Sequence, residues 1–289
     1  RQEEIAEALN KYSVFGRVTP QQKKAMVVAL KQQGHTVAMT GDGVNDVLAF
    51  KEADCSIAMA SGSDAAKNAA NLVLLDNNFD AMPHIVDEGR RVINNITMSA
   101  SMFLIKTIFS ALIAISTIFF GQAYPFEPIQ LSLISACGVG IPTFFLTYEA
   151  NFARVEGNFL ETDLEKPFPS AFTIAIGATL ITNIGLALNY DPNMLSTVCV
   201  LFTGWNYTIA LLKIYRPLTK YRKFIIYSTQ FCYYISMMIG QSILELTGVS
   251  FNWLMILLGL IAFSSIIVDL SAELFKYIKT VSYTHLRAH

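Results

Sequence analysis

Apolar positions along the chain fall into two regimes. Up to about residue 95 they come in short runs broken by polar loops; from about 98 they merge into runs of roughly 20 residues, the length a helix needs to cross a bilayer. In the first regime, Ile5, Ala8 and Leu9 at helical spacing predict an amphipathic helix over 3–11, and Ser13-Val14-Phe15 reads as a short strand. Thr19-Pro20 is a helix start, Thr as N-cap and Pro at the first helical position, with Gly34 as the stop and Met26, Ala29 and Leu30 as the inward stripe. A strand over 36–40, a helix over 45–53, a strand over 55–59, a helix over 64–70 and a strand over 72–75 follow. Short strands alternating with helices predict a parallel, Rossmann-like α/β sheet, whose ligands sit at the carboxyl ends of the strands.

In the second regime a helix beginning near Phe79 or Asp80 tolerates Pro83 in its first turn and continues through Arg90-Arg91 into the first apolar run. It is read as a stalk over 80–97. Apolar runs near 98–120, 129–149, 171–189, 195–213, 224–246 and 251–274 predict an all-α domain of six spans, 98–280, with the lipid bilayer as its partner. The loops near 121–128, 189–195 and 246–251 carry no Lys or Arg. The alternate loops carry Arg154 and Lys166, then Arg216, Lys220, Arg222 and Lys223. By the positive-inside rule the first 95 residues and the C-terminus are cytoplasmic, in a multi-pass protein of the cell membrane. Residues 281–289 fit neither domain and are read as a non-native remnant. Because the chain opens at Arg1 in mid-domain, it is read as a piece of a longer protein.

Composition sharpens this division. At 289 residues, 53% hydrophobic and 15% charged, the chain is too apolar for one soluble domain, and a net charge of −1 without basic runs gives no sign of a nucleic-acid partner, so none is expected. Cys55, Cys137, Cys199 and Cys232 are isolated, so neither a disulfide framework nor a thiolate metal site is indicated.

The chemistry concentrates in Thr40-Gly41-Asp42-Gly43-Val44-Asn45-Asp46, directly after a predicted strand and before a predicted helix. Backbone amides at Thr40, Gly41 and Gly43 can face an anion, and hard carboxylate and amide oxygens suit Mg²⁺. Asp42 is the candidate Mg²⁺ ligand; Asn45 and Asp46 complete or orient the phosphate end. Lys23 and Lys24 are either a solvated face or the source of one cation reaching a phosphoryl group; Lys51 reads as solvated.

Within the spans, Lys106 is a counter-charge, part of a transport pathway, or a lysine snorkelling to the interface. Gly138-Val139-Gly140-Ile141-Pro142 weakens the second span and is able to expose carbonyls to a cation, or else serves packing alone. Glu149 ends the second span and reads as interfacial, while Glu245, Asp269 and Glu273 lie near span ends and read as solvated.

Three stretches carry a resemblance: Phe15-Gly-Arg-Val-Thr-Pro-Gln-Gln-Lys23, His35 through Asp46, and Asp76-Asn-Asn-Phe-Asp80 through Glu88-Gly-Arg-Arg91. In order and spacing they resemble the second half of the phosphorylation domain of P-type cation-transporting ATPases, within the haloacid dehalogenase-like fold. The resemblance covers about the first 95 residues and assigns 1–79 to that domain. It implies that Asp42 is the Mg²⁺ ligand, with Asn45 and Asp46 around the aspartyl phosphate and Asp46 also near the metal, and that Lys23 contacts phosphate. It implies that 80–97 is the fifth membrane helix's stalk and that the spans are helices five to ten. ATP and Mg²⁺ follow as cofactors and a cation as cargo.

The departures are also specific. Val47-Leu-Ala-Phe50 replaces the family's Ala-Pro-Ala-Leu. The nucleophile motif Asp-Lys-Thr-Gly-Thr, the nucleotide-binding domain and the first four membrane helices are not found here, so this chain alone is not expected to form a phosphoenzyme. Ser135 and Val139 stand where calcium pumps carry Asn and Asp, and Thr107 and Ser110 where they carry Asn and Glu. Lys106, Thr107, Ser110, Ser135, Gly138 and Pro142 are then the candidate ion pathway. The leading reading is the C-terminal part of an ATP-driven cation pump that works through an aspartyl phosphate. A membrane-anchored phosphatase and a non-catalytic regulatory membrane protein remain as alternatives.

Overall fold

A computed structural model describes residues 2–155 and 165–286 and divides the chain into two units that meet at Asp87 and Glu88. The first opens with α1 (Gln2–Lys11) and α2 (Pro20–Gln32). Pro20 supplies the fixed φ of a first helical turn, and Thr19 and Gln22 form a capping box. Gln22 N–H donates to Thr19 Oγ1 (3.3 Å), while Thr19 N–H donates to Gln22 Oε1 (2.9 Å). Val27 and Ala29 are the buried positions of α2, and Met26 and Leu30 flank them half-buried. Gly34, at φ +87°, turns the chain out of the helix.

Strands β1 (Ala38–Gly41), β2 (Cys55–Met59) and β3 (Leu72–Leu74) form a parallel sheet in that order, with Thr40 opposite Ile57 and Ile57 opposite Leu72. The crossovers contain α3 (Val47–Phe50) and α4 (Asp64–Ala69). Phe50, Ala58 and Ala66 make the small core between sheet and helices. At the far edge, Ser56 N–H and Oγ–H both donate to Asn71 Oδ1 (2.8 Å each), and Asn71 N–H returns a bond to Ser56 Oγ (3.0 Å).

Three sequence expectations are corrected here. Ser13-Val14-Phe15 is not a strand: no described strand runs alongside it to complete a ladder, and Val14 is 88% exposed. β1 starts two residues later than predicted, because Val37 is occupied by Asp54, whose carboxylate accepts from Val37 N–H (2.9 Å). The helix predicted over 45–53 is only α3, preceded by a 3₁₀ turn Val44–Asp46. It stops where Glu52 and Ala53 N–H both donate to the Ala49 carbonyl.

The second unit is helical. The helix α5 (Met82–Phe120) follows a 3₁₀ turn, Phe79–Ala81, and is unbroken over 39 residues. Next come α6 (Pro128–Leu133), a π-helical segment Ile134–Gly140, and α7 (Ile141–Leu146). Then follow α8 (Pro167–Ala187), α9 (Pro192–Ile214), α10 (Lys220–Ile239) and α11 (Phe251–Leu286). Among the described residues five helical segments are long and apolar enough to cross a membrane: 79–120, 128–146, 167–187, 192–214 and 251–277. The sixth expected span is α10. Its 20 residues suffice in length, but Lys220, Arg222 and Lys223 in its first turn, and Ser228, Thr229 and Gln230 at mid-helix, make it more polar than the others. Residues 281–286 continue α11, and 287–289 of the expected tail lie outside the described residues.

α9 is the centre of this unit, with most of its residues from Met194 to Ile214 buried. Glycines on α8 let it approach. A Cβ at Gly177 would sit 2.1 Å from Phe202 Cε1, and one at Gly185 would sit 2.2 Å from Leu195 Cδ2, so small residues set the interhelical distance.

Three carboxyl groups around the sheet are held below the ordinary carboxylate range. For Asp54 the main cause is the Val37 N–H bond, then Lys31; for Glu52 it is Lys24, and for Asp64, Lys67. A folded pKa below the unfolded one gives stabilisation that is present above the unfolded value, about 4, and lost as pH falls through the folded value. Hydrogen-exchange protection of Val37 N–H is therefore expected to drop on acidification through that window. In Asp54→Ala it is expected to be low already at neutral pH and to lose its pH dependence.

Candidate functional site

The loop after β1 is built around Asp46. The β1 strand ends at Gly41, and the 3₁₀ turn Val44–Asp46 folds the Asp46 side chain back against the Gly41 backbone. A Cβ on Gly41 would lie 2.5 Å from Asp46 Oδ2 and 2.6 Å from its carboxyl carbon, so only glycine leaves room for this carboxylate. Asp46 is 4% exposed, and both of its oxygens are engaged. Oδ1 accepts from Lys23 Nζ (2.5 Å) and Oδ2 from Gly43 N–H (3.2 Å).

Lys23 comes from the first turn of α2, so the sequence-distant lysine and the loop meet through one short ionic bond. Lys24, the other candidate, pairs with Glu52 at 2.8 Å and points elsewhere; Lys51 is exposed. Of the two lysines, Lys23 is the one that reaches the loop after β1.

Asp42 and Asn45 have exposed side chains, and neither is hydrogen-bonded among the described residues. The Asp42 backbone, by contrast, is fixed. Its carbonyl accepts from Ser63 N–H (2.7 Å), and a Cβ on Gly62 would meet that carbonyl oxygen at 2.6 Å. The turn after β2 therefore clamps the position from which the Asp42 carboxylate projects. No cluster of three His, Cys, Asp or Glu side chains occurs among the described residues, so a complete protein cage for a metal is not built here. Mg²⁺ does not need one: it keeps several waters and binds through one or two carboxylates plus phosphate oxygens, which a projecting Asp42 at a strand end fits.

In the second unit, Lys106 Nζ donates to Ser135 Oγ (2.5 Å), and Ser135 Oγ donates in turn to the Leu131 carbonyl (2.7 Å). The lysine is thus directed at the π-helical segment. That segment is the weakening predicted for Gly138–Pro142: Pro142 has no N–H for the Gly138 carbonyl, and two glycines remove side-chain support, so the backbone widens into π geometry. Thr143 Oγ1 partly compensates by donating to the carbonyls of Val139 (2.7 Å) and Gly140 (3.1 Å). Pro142 is buried and Ser110 half-buried, whereas Thr107 is exposed on α5.

Sequence reasoning missed a third contributor. Thr203, Asn206 and Tyr207 on α9 are fully buried, and Thr203 Oγ1, Asn206 Oδ1 and the Tyr207 hydroxyl have no hydrogen-bond partner among the described residues. Tyr207 packs on Gly138, where an added Cβ would be 3.2 Å from the ring, and stands edge-on to Phe109 of α5. The signal in the sequence is three polar side chains within five residues of an apolar span.

Known proteins bear on both units. Residues 23–86 match the family model of haloacid dehalogenase-like hydrolases, so the parallel sheet with its Gly41–Asp46 loop is a haloacid dehalogenase-like module. The probable cation-transporting ATPase exp7 of Streptococcus pneumoniae is 41% identical over 235 residues, 78% of this chain and 30% of that protein. The calcium-transporting ATPase CtpE of Mycolicibacterium smegmatis is 45% identical over 60% of this chain and 23% of its own length. The P-type sodium-transporting ATPase4 of Toxoplasma gondii is 40% identical over 51% of this chain and 11% of its own length. The chain is therefore a homologue of the cation-transporting P-type ATPases over much of its length, and it spans less than a third of these relatives.

Gly41→Ala is expected to expel the Asp46 carboxylate from its place and release Lys23. The thermal unfolding midpoint should then fall far more than in Gly16→Ala, where an added Cβ meets nothing within 4 Å.

Proposed function

We propose that this chain is the C-terminal part of an ATP-driven cation pump of the cell membrane. The single observation that carries the reading is the Lys23–Asp46 bond beside a projecting, backbone-clamped Asp42 at the end of a parallel strand. Its elements come from stretches that a phosphoryl-transfer site requires together: a metal-binding carboxylate, a cation for the transferring group, and backbone N–H groups beside them.

In this reading Asp42 holds Mg²⁺, which when bound neutralises charge on the phosphate oxygens. Lys23 places its ammonium beside the phosphoryl group, and Asp46 fixes Lys23 by occupying its other side. Asn45, exposed next to Asp42, offers an amide to a phosphate oxygen. The nucleophilic Asp and the nucleotide site belong to the part of the protein outside this chain. Cation passage is assigned to the region where α5, the π-helical segment and α9 meet: Lys106, Ser110, Ser135, the carbonyls near Gly138, and Tyr207. The relatives' names divide between calcium and sodium, so the ion is left as a cation. The loop charges put the phosphate module and the C-terminus on the cytoplasmic side.

The test uses the full-length protein in lipid vesicles with ATP. The wild type is expected to form an acid-stable phosphoenzyme and to be stimulated by one of Ca²⁺, Mn²⁺, Mg²⁺, K⁺, Na⁺ or H⁺. Asp42→Ala should cut phosphoenzyme formation by about 100-fold, the scale of losing one preorganised charge-stabilising group. Lys106→Ala should leave phosphoenzyme formation in place and change the cation dependence. Normal phosphorylation in Asp42→Ala would refute the metal-ligand assignment. Failure of every cation to stimulate, with no phosphoenzyme, would refute the pump.

A further inference from the structure

The segment after α7 is gripped from two sides. On one side are two consecutive asparagines of α5. Asn94 Nδ2 donates to the carbonyls of Asn151 (3.0 Å) and Ala153 (2.9 Å), and Asn95 Nδ2 donates to the carbonyl of Thr147 (3.0 Å). On the other side is the corner between α9 and α10. Arg222 Nε donates to Glu149 Oε2 (2.8 Å), and Thr219 Oγ1 donates to the same oxygen (3.0 Å). Arg222 Nη1 also holds the carbonyls of Tyr215 (2.9 Å) and Pro217 (3.1 Å), and the Tyr221 hydroxyl donates to the Phe145 carbonyl (2.9 Å). Glu149, read from sequence as an interfacial span end, is a half-buried anchor, with 24% of its side chain exposed against 4% for Arg222.

A buried arginine is a poor device for stability alone, because its desolvation cost largely cancels its attraction to the carboxylate. What the planar guanidinium gives is fixed geometry: its fork locks one carboxylate and two backbone carbonyls at set angles, which an ammonium cannot reproduce. The residues so locked lie a few positions beyond the π-helical segment, and the opposite grip comes from α5. A shift of α5 therefore pulls on Thr147–Ala153. With Glu149 held at Arg222, that pull is borne by the helix containing the π segment instead of being lost in a sliding loop.

We infer that Arg222 is a positioning residue for energy coupling: it is the fixed point against which movement of α5 deforms the π-helical segment. This rests on the pump reading above. Arg222 touches neither the phosphate site nor the assigned pathway, so its loss is expected to leave phosphoenzyme formation intact and to uncouple it from transport.

The experiment measures, in vesicles containing the full-length protein, both ATP hydrolysed and the stimulating cation moved. Arg222→Gln should retain phosphoenzyme formation but move about 5-fold fewer cations per ATP, the lower end of an allosteric coupling. Arg222→Lys keeps the charge without the fork and should not restore the ratio. Glu149→Gln, which keeps the shape of the side chain, should lower the ratio in the same direction and decides the matter if Arg222→Gln does not fold. An unchanged ratio, with only lower thermal stability, would overturn the inference while leaving the pump reading standing. A wild type that moves no cation would overturn both.

Discussion

The first unit depends on one ionic contact made in almost no space. The Asp46 carboxylate is buried against the backbone of Gly41 and pairs with Lys23 on one oxygen, with Gly43 N–H on the other. A buried carboxylate without such partners would cost several kcal/mol of desolvation, so the loop has this shape only while α2 delivers Lys23. The capping box at Thr19 matters for the same reason. It fixes where α2 begins, and Lys23 lies in the turn that follows. The chemistry of the strand end is thus decided by a helix some 20 residues earlier, as the separation of Lys23 and Asp46 requires.

In the second unit the corresponding constraint is backbone polarity in an apolar setting. Carbonyls that lose a helical donor inside a membrane must be satisfied locally or face a polar cavity. The stretch Ile134–Gly140 resolves this by widening into a π-helix, with the Thr143 hydroxyl taking two carbonyls, Ser135 meeting Lys106, and Tyr207 covering Gly138. Irregular backbone at this depth, beside buried polar side chains of α9, is the feature that sets this helix apart from the regular packing of α8 on α9.

Much of this was legible in the residues, and what was not has physical causes. β2 and α4 lie at their expected positions because each has its own punctuation, with Asp54 before the strand and Ser63 as N-cap of the helix. Ser13–Phe15 misled because β-propensity says nothing about whether a neighbouring strand is present to pair with. The helix after Asp46 was overestimated because the 3₁₀ turn that positions the carboxylate consumes its first residues. Asp42, Asn45 and Asp46 were singled out by local spacing, and the structure puts them in one loop between β1 and α3. The choice of Lys23 over Lys24 required either the family resemblance or the fold, since adjacent helical positions point in different directions. The pairing of Glu149 with Arg222 was invisible because the two are 73 residues apart in sequence.

In the proposed site Lys23 and Asp46 act as one unit in phosphoryl transfer. The most direct measurement is a double-mutant cycle on phosphoenzyme formation by the full-length protein, with Lys23→Met, Asp46→Asn and the pair. Residues acting as a unit give non-additive losses, so the double variant should be little worse than the more damaged single one. Losses that simply multiply would show that the two side chains work independently and would contradict the account.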